Sequence, residues 1–203
     1  MNERIKSIVI GLIIFTLCIP TALNATGNNT FSLENSQAMN ERCITVPDSS
    51  IVLKLWDEKL DTGGMAPFYS ISLDGGKSSV RTVQPSYEIG LRYAHFDPLM
   101  GEPSIEPLLT ASDDTHLFIV QFFTQPLEEF QEAITVCGGV VRHYIAQYAY
   151  LVEMSESVRT EVEKLPYVRW VGPYHPAYRL EEFMVDNLDN AYQIYPLQRY
   201  NIQ

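Results

Sequence analysis

The stretch from His116 to Leu180 decides the fold, because all of its local signals agree on one order of elements: HLFIVQFFTQPLEEFQEAITVCGGVVRHYIAQYAYLVEMSESVRTEVEKLPYVRWVGPYHPAYRL. Four of its runs are rich in apolar, β-branched and aromatic residues, which is typical of strands. These runs are Leu117 to Phe123, Val140 to Ile145, Tyr148 to Met154 and Tyr167 to Val171. Only Ala146-Gln147 separates the second run from the third, so these two strands are predicted to form a hairpin.

Two amphipathic segments between these runs predict helices. In the first, Pro126 suits the first helical position, and the Gly138-Gly139 pair ends the helix because glycine tolerates a positive φ. In the second, Ser155 or Ser157 can cap the start, and Pro166 stops the helix. The apolar stripes are Leu127, Phe130, Ile134 and Cys137 in the first helix, and Val158, Val162 and Leu165 in the second.

The resulting βαββαβ order predicts an α+β fold. A ferredoxin-like sandwich, with one antiparallel sheet and two helices on one face, is the expected architecture. Because this fold hosts many unrelated activities, the function has to be read from other features.

Several short sequence motifs within and just before this stretch resemble those of a known family. They are LRYAHFDP from Leu91, PLL from Pro107, FIVQF from Phe118, the glycine pair before Val140, YI at Tyr144, AYLV from Ala149 and VRWVGPYHPAYRL from Val168. In these motifs the chain resembles the propeptide domain of secreted subtilisin-like serine peptidases, in particular the propeptides of large exported archaeal and bacterial proteases. The resemblance implies a domain that assists the folding of its protease and then inhibits it.

The peptidase domain of that family has no counterpart in this chain. Neither His-Gly-Thr nor Gly-Thr-Ser occurs, and Asp61-Thr62-Gly63 follows the charged, helix-like segment Trp56 to Leu60 rather than a buried strand. We therefore expect no enzymatic activity from this chain by itself, and a truncated precursor, a split gene or a partial sequence. The alternative is a structural or adhesion module of the cell surface that uses the same fold as a spacer.

If the chain is a propeptide, the resemblance implies that the open sheet face sits on the protease and the segment after the last strand enters its substrate groove. The two prolines of that segment, Pro173 and Pro176, are expected to hold it extended. The docking candidates are Tyr148, Tyr150, Trp170, Tyr174, His175, Pro176, Ala177 and Tyr178. Alternatively, Trp170 and Tyr174 close the core against the preceding region, and alternation alone leaves undecided which sheet face is open.

The remaining chain divides into segments of different composition. An apolar run of twelve residues from Ile8 to Ile19, too short for a membrane span, predicts a signal peptide and hence secretion. The formal charge of -11 argues against a nucleic-acid partner, and membrane contact is expected only through the signal. The predicted segments are a signal peptide at 1–25, a polar linker at 26–43, a β-rich lead-in at 44–112, the ferredoxin-like domain at 113–180 and an acidic tail at 181–203.

The lead-in region has weaker signals. The segment from Ser49 to Leu60 resembles a strand followed by a helix around Trp56. Short strands are predicted at Ile71 to Leu73, Val80 to Val83 and Tyr87 to Tyr93, with glycine-rich turns between them.

Cysteine and histidine usage gives no catalytic or metal site. Once the signal is removed, Cys43 and Cys137 could form one disulfide, but Cys137 lies on an apolar helix stripe, where a free thiol behaves as a small hydrophobe. The four histidines lack the spacing of metal ligands, and no cofactor motif is present, so neither a metal nor a cofactor is predicted.

Overall fold

A computed structural model describes residues 38–180 of the chain. Within that range the fold is α+β, with antiparallel sheets and two helices. The predicted signal peptide, the first part of the predicted linker and the acidic tail lie outside the described residues.

The first sheet consists of four antiparallel strands in chain order. They are β1 (Ala38–Thr45), β2 (Val52–Lys59), β3 (Met65–Ser72) and β4 (Arg81–Val83). The predicted helix around Trp56 is wrong, because β2 pairs along its whole length with β3 and is also flanked by β1. The linker prediction is also wrong for residues 38–43, since these polar residues form an edge strand whose backbone hydrogen bonds are made with β2. Asp61-Thr62-Gly63 lies in the turn between β2 and β3.

A short two-stranded unit follows the first sheet. It contains β5 (Ile89–Gly90) and β6 (His95–Phe96), and a 3₁₀ turn at Pro107–Leu109 comes after it. Of the strand predicted at Tyr87 to Tyr93, only the two residues of β5 are observed. The strand predicted at Val80 to Val83 is β4, which is one residue shorter. The strand predicted at Ile71 to Leu73 overlaps the end of β3.

The second sheet holds the predicted βαββαβ order. Its elements are β7 (Leu117–Phe122), α1 (Glu128–Val136), β8 (Val140–Ile145), β9 (Ala149–Glu153), α2 (Glu156–Glu163) and β10 (Val168–Pro173). All pairs are antiparallel, and the strands lie in the order β10-β7-β9-β8, which makes β8 and β10 the edges. The predicted boundaries of these elements are confirmed to within a few residues.

Two of the predicted helix-end signals are confirmed, whereas Pro126 does not take the first helical position, because α1 begins at Glu128 with Leu127 as its N-cap. Ser155 caps α2 by accepting a hydrogen bond from the Val158 N–H at 3.4 Å. Gly138 follows α1 with φ +99°, a conformation that a residue with a Cβ adopts only under strain. The turn between β8 and β9 is longer than predicted, because Tyr148 joins it. Both Gln147 and Tyr148 there have positive φ angles, of 66° and 64°.

The buried residues form two clusters, one on each face of the second sheet. On the helix face, Phe118, Val120 and Phe122 of β7 pack with residues of both helices and with the inner residues of the first sheet. On the opposite face, Ile119 packs with Ala149, Ile89 and Phe96, so the lead-in region covers this face. Along β9, Tyr150 and Val152 belong to the first cluster and Ala149 to the second, so both faces of the sheet are occupied.

Two sequence questions are answered within residues 38–180. Cys43 and Cys137 do not form a disulfide with each other. None of the helices described in this range is both long and apolar enough to cross a membrane.

Candidate functional site

The segment after β10 does not extend as predicted. Pro176–Arg179 forms a 3₁₀ turn, in which Pro176 takes an early position where its missing N–H costs nothing. The turn directs Ala177 and Tyr178 into the second buried cluster, where they are 0% and 3% exposed. Proline at this position excludes a long helix but not a single tight turn, which is why the prediction of an extended tail is wrong.

Tyr178 is the centre of an aromatic group on the lead-in face. Its ring centroid lies 6.0 Å from that of Tyr93, 5.9 Å from Phe96, 5.8 Å from Tyr174 and 5.1 Å from His175. Burial raises the pKa of its hydroxyl, which has no hydrogen-bond partner among the described residues. A side chain held in this way cannot also fill a pocket on another protein.

His175 ties this group to the segment that leads into β7. Its Nδ1 accepts a hydrogen bond from the backbone N–H of Ala111 at 2.9 Å, which requires the neutral ring. Burial lowers the pKa of His175, and the nearby Glu102 carboxylate opposes that shift. The imidazole is therefore a structural acceptor in this arrangement.

The eight docking candidates do not form one surface. Trp170 lies directly over Gly172, and with Tyr174 it packs against the lead-in cluster, as the alternative reading of these residues expected. Tyr148 and Tyr150 belong to the helix-face cluster instead. Pro176 is the candidate that remains exposed. The sequence pattern could not reveal this division, because both sheet faces carry aromatic residues and the covering segment is distant in the chain.

A cleft of about 340 Å³ lies between the first sheet and β10. It is lined by Asn40, Arg42, Leu55, Trp56, Asp57, Pro67, Phe68, Tyr87, Asp97, Phe123 and Arg169. One side thus comes from β1, β2 and β3, and the other from Tyr87, Asp97, Phe123 just after β7, and Arg169 of β10. We call this feature the inter-sheet cleft.

Arg169 lines the inter-sheet cleft and makes three side-chain hydrogen bonds there. Its guanidinium donates to both carboxylate oxygens of Asp97, at 2.7 and 2.9 Å, and to Gln121 Oε1 at 2.7 Å. The same group lies 4.1 Å from the ring centroid of Tyr87, whose backbone oxygen accepts from Gln121 Nε2. The side chains of Arg169 and Asp97 are 7% and 21% exposed, so this is a largely buried, bidentate ion pair.

Arg42 differs from Arg169 in having no ion pair among the described residues. Its guanidinium lies 4.0 Å from the ring centroid of Phe123, and desolvation lowers its pKa, with an opposing effect from Tyr87. A guanidinium stacked on a ring still has its in-plane N–H groups available to a ligand. Asp57, on the facing strand, accepts a hydrogen bond from Asn40 Nδ2 at 2.8 Å.

The sequence contained signals for this polar group that the docking prediction did not use. Gln121 stands in the middle of an apolar strand, where a buried amide requires partners. Arg169 is likewise a polar residue within a mostly apolar strand, next to Trp170, so it also requires partners. Which residues satisfy them could not be predicted, since Asp97 is 72 positions away from Arg169.

A metal centre finds no support within residues 38–180, where no group of three or more possible ligands comes together.

Comparison with protein families gives one match. Residues 90–175 match a family described only as a domain of unknown function (DUF8729). The match begins at β5 and ends just after β10, so it includes part of the lead-in as well as the second sheet. Neither the curated proteins nor the solved structures contain a match to this chain.

Proposed function

We propose that this chain is an exported, non-catalytic propeptide-like domain that binds, inhibits and assists the folding of a subtilisin-like serine peptidase. The observation that carries the proposal is the arrangement of residues 117–173, the segment in which the resemblance to those propeptides lies. There, four antiparallel strands in the order β10-β7-β9-β8 carry both helices on one face, which supports a ferredoxin-like sandwich. The family match to residues 90–175 includes this segment together with part of the region before it.

The docking surface in this proposal differs from the one that the sequence suggested. The lead-in region occupies the sheet face opposite the helices, so a protease would have to contact an edge of the sheet. Within residues 113–180, the exposed large apolar side chains are Val136, Val140 and Tyr144, at 87%, 47% and 59% exposure. They lie at the end of α1 and on the edge strand β8. We therefore place the contact at β8, where an added strand from the protease can pair with the backbone.

The test is an inhibition assay with the purified full chain and several subtilisin-like proteases, including any that is encoded beside its gene. We expect inhibition and faster refolding of at least one protease. Tyr144→Ala should weaken inhibition by about 30-fold, because an aromatic anchor in an interface contributes about 2 kcal/mol. Leu73→Ala is the matched control, since Leu73 is also an exposed apolar residue (55%) but lies beyond the last strand residue of β3. Absence of both inhibition and refolding assistance across the whole panel would contradict the proposal.

A second candidate is a structural module of the cell surface, and one observation favours it. The sheet face that a propeptide would present is already covered by Phe96, Ala177 and Tyr178, which gives a self-contained domain without a protease. If this candidate is correct, the full chain should bind no protease, and Tyr144→Ala should change neither its folding nor any proteolytic activity in the assay.

A further inference from the structure

We infer that the inter-sheet cleft binds a small monocarboxylate that carries an apolar or aromatic group, the chemistry of a peptide's carboxyl-terminal residue. This site is separate from the proposed protease contact at β8, and the inference does not depend on that function. It rests on the charges, rings and volume of the cleft.

Arg42 supplies the anion-binding group. It lies on β1 opposite Leu55, just after an irregularity in the pairing of β1 and β2 between Met39 and Arg42. Such bulges redirect side chains and are frequent beside functional sites. The Phe123 ring, 4.0 Å from Arg42 Cζ, supports the guanidinium from one side, while Arg42 remains exposed to solvent and accessible to a ligand. A carboxylate can then accept two parallel hydrogen bonds from its edge, the geometry in which arginine recognises this group best.

The other charged groups of the cleft decide the charge of the ligand. Arg169 is neutralised by Asp97 and hydrogen bonded to Gln121, so Arg42 is the cation of the cleft without an ionic partner among the described residues. Asp57 also lines the cleft and repels negative charge, whereas the charge of Asp97 is compensated by Arg169. One available guanidinium beside one uncompensated carboxylate favours a single negative charge over the double charge of a phosphate.

The remaining walls suit an apolar group of modest size. Leu55, Pro67 and the ring of Phe123 form the apolar wall beside Arg42, because Arg42 pairs with Leu55 and shares its face of the first sheet. The volume of about 340 Å³ is near the lower end of the range for small-molecule sites, roughly 300–1,000 Å³. An apolar or aromatic amino-acid side chain with its carboxylate fits this volume, whereas a folded partner does not.

The experiment titrates the full chain with N-acetylphenylalanine, with N-acetylphenylalanine amide and with inorganic phosphate, followed by calorimetry or by amide chemical shifts. We expect the acid to bind with a Kd of about 1 mM or tighter and the amide to bind at least about tenfold more weakly. Arg42→Gln should weaken binding of the acid by about tenfold, because it removes a charge-assisted hydrogen-bond pair. Arg81→Gln should leave it unchanged, since Arg81 is an exposed arginine of the same sheet that does not line the cleft.

Equal binding of acid and amide would overturn the inference, and so would phosphate binding that is tighter than that of the acid and lost in Arg42→Gln. If Arg42→Gln fails to fold, the comparison of acid and amide on the unaltered chain still decides the question. A tripeptide ending in phenylalanine separates two sources of the ligand. Tighter binding than that of N-acetylphenylalanine identifies a peptide carboxyl terminus, and equal binding identifies a small free acid. Protease inhibition is measured separately, so either proposal can fail alone.

Discussion

The two faces of the second sheet are buried in different ways. On one face, α1 and α2 cover Phe118, Val120 and Phe122 together with inner residues of the first sheet, and both helices come from the same short segment as the strands. On the other face, the cover comes from residues 89–109 and from the turn after β10, and it includes the polar group of Gln121, Arg169 and Asp97. Local sequence therefore supplies the helices of the first face, whereas the cover of the second face depends on long-range contacts throughout, some of them polar. Three predictions test this difference.

The largest effect is expected on the helix face. Phe130 is fully buried, stacks on Tyr167 with ring centroids 4.0 Å apart and lies 5.2 Å from Phe122. Phe130→Ala should lower the free energy of unfolding by about 4 kcal/mol, because it leaves a cavity among aromatic rings. Phe96→Ala on the opposite face should cost about 2 kcal/mol, since the short β5-β6 unit can relax around the change.

Urea unfolding measures both free energies, and amide hydrogen exchange locates the effect. In Phe96→Ala, faster exchange should be confined to the lead-in region. Equal losses of stability and of protection throughout the chain would show that the two faces fold as one unit.

The next effect concerns the ion pair that joins the lead-in to β10. Asp97→Ala leaves the guanidinium of Arg169 buried without its carboxylate partner and should destabilise the fold by about 3 kcal/mol. Glu153→Ala breaks the ion pair between Arg142 and Glu153, whose side chains are 48% and 46% exposed, and should cost less than about 1 kcal/mol. Thermal or urea unfolding of the two variants checks the ranking. If Asp97→Ala lowers the free energy of unfolding as little as Glu153→Ala does, residues 89–109 are held against the sheet by apolar contacts alone.

The smallest effect is a pH dependence that arises at His175. Because burial keeps its pKa below that of the unfolded chain, the unfolded chain binds the additional proton as the pH falls below about 6.5. This contribution to stability is present above that pH and is lost as the pH falls toward the lower pKa of the folded state. Protonation also removes the acceptor for the Ala111 N–H, so the connector before β7 should loosen first.

Urea unfolding between pH 7.5 and 5, together with hydrogen exchange at Ala111, measures this dependence. His175→Gln should flatten it, whereas His143→Gln on the exposed edge strand should leave it in place. An unchanged slope in His175→Gln would assign the pH dependence to other groups.

The sequence by itself determined the elements of residues 117–173 and their order. Hydrophobic periodicity, the Ser155 cap and the glycine pair are local signals, and no distant contact opposes them. The same signals failed around Trp56, where a charged, helix-like run is held as a strand by partners on both sides. Pairing energy outweighs the weak local preference there.

Only the tertiary structure decided which sheet face is covered, how the segment after β10 turns and what forms the inter-sheet cleft. Tyr178 has the same local pattern whether it is extended in a protease groove or buried against Phe96, and its burial depends on a segment that lies about 80 residues earlier. Arg169 likewise finds Asp97 across 72 positions. Contacts of this kind follow from the packing of whole elements, which a local pattern does not encode.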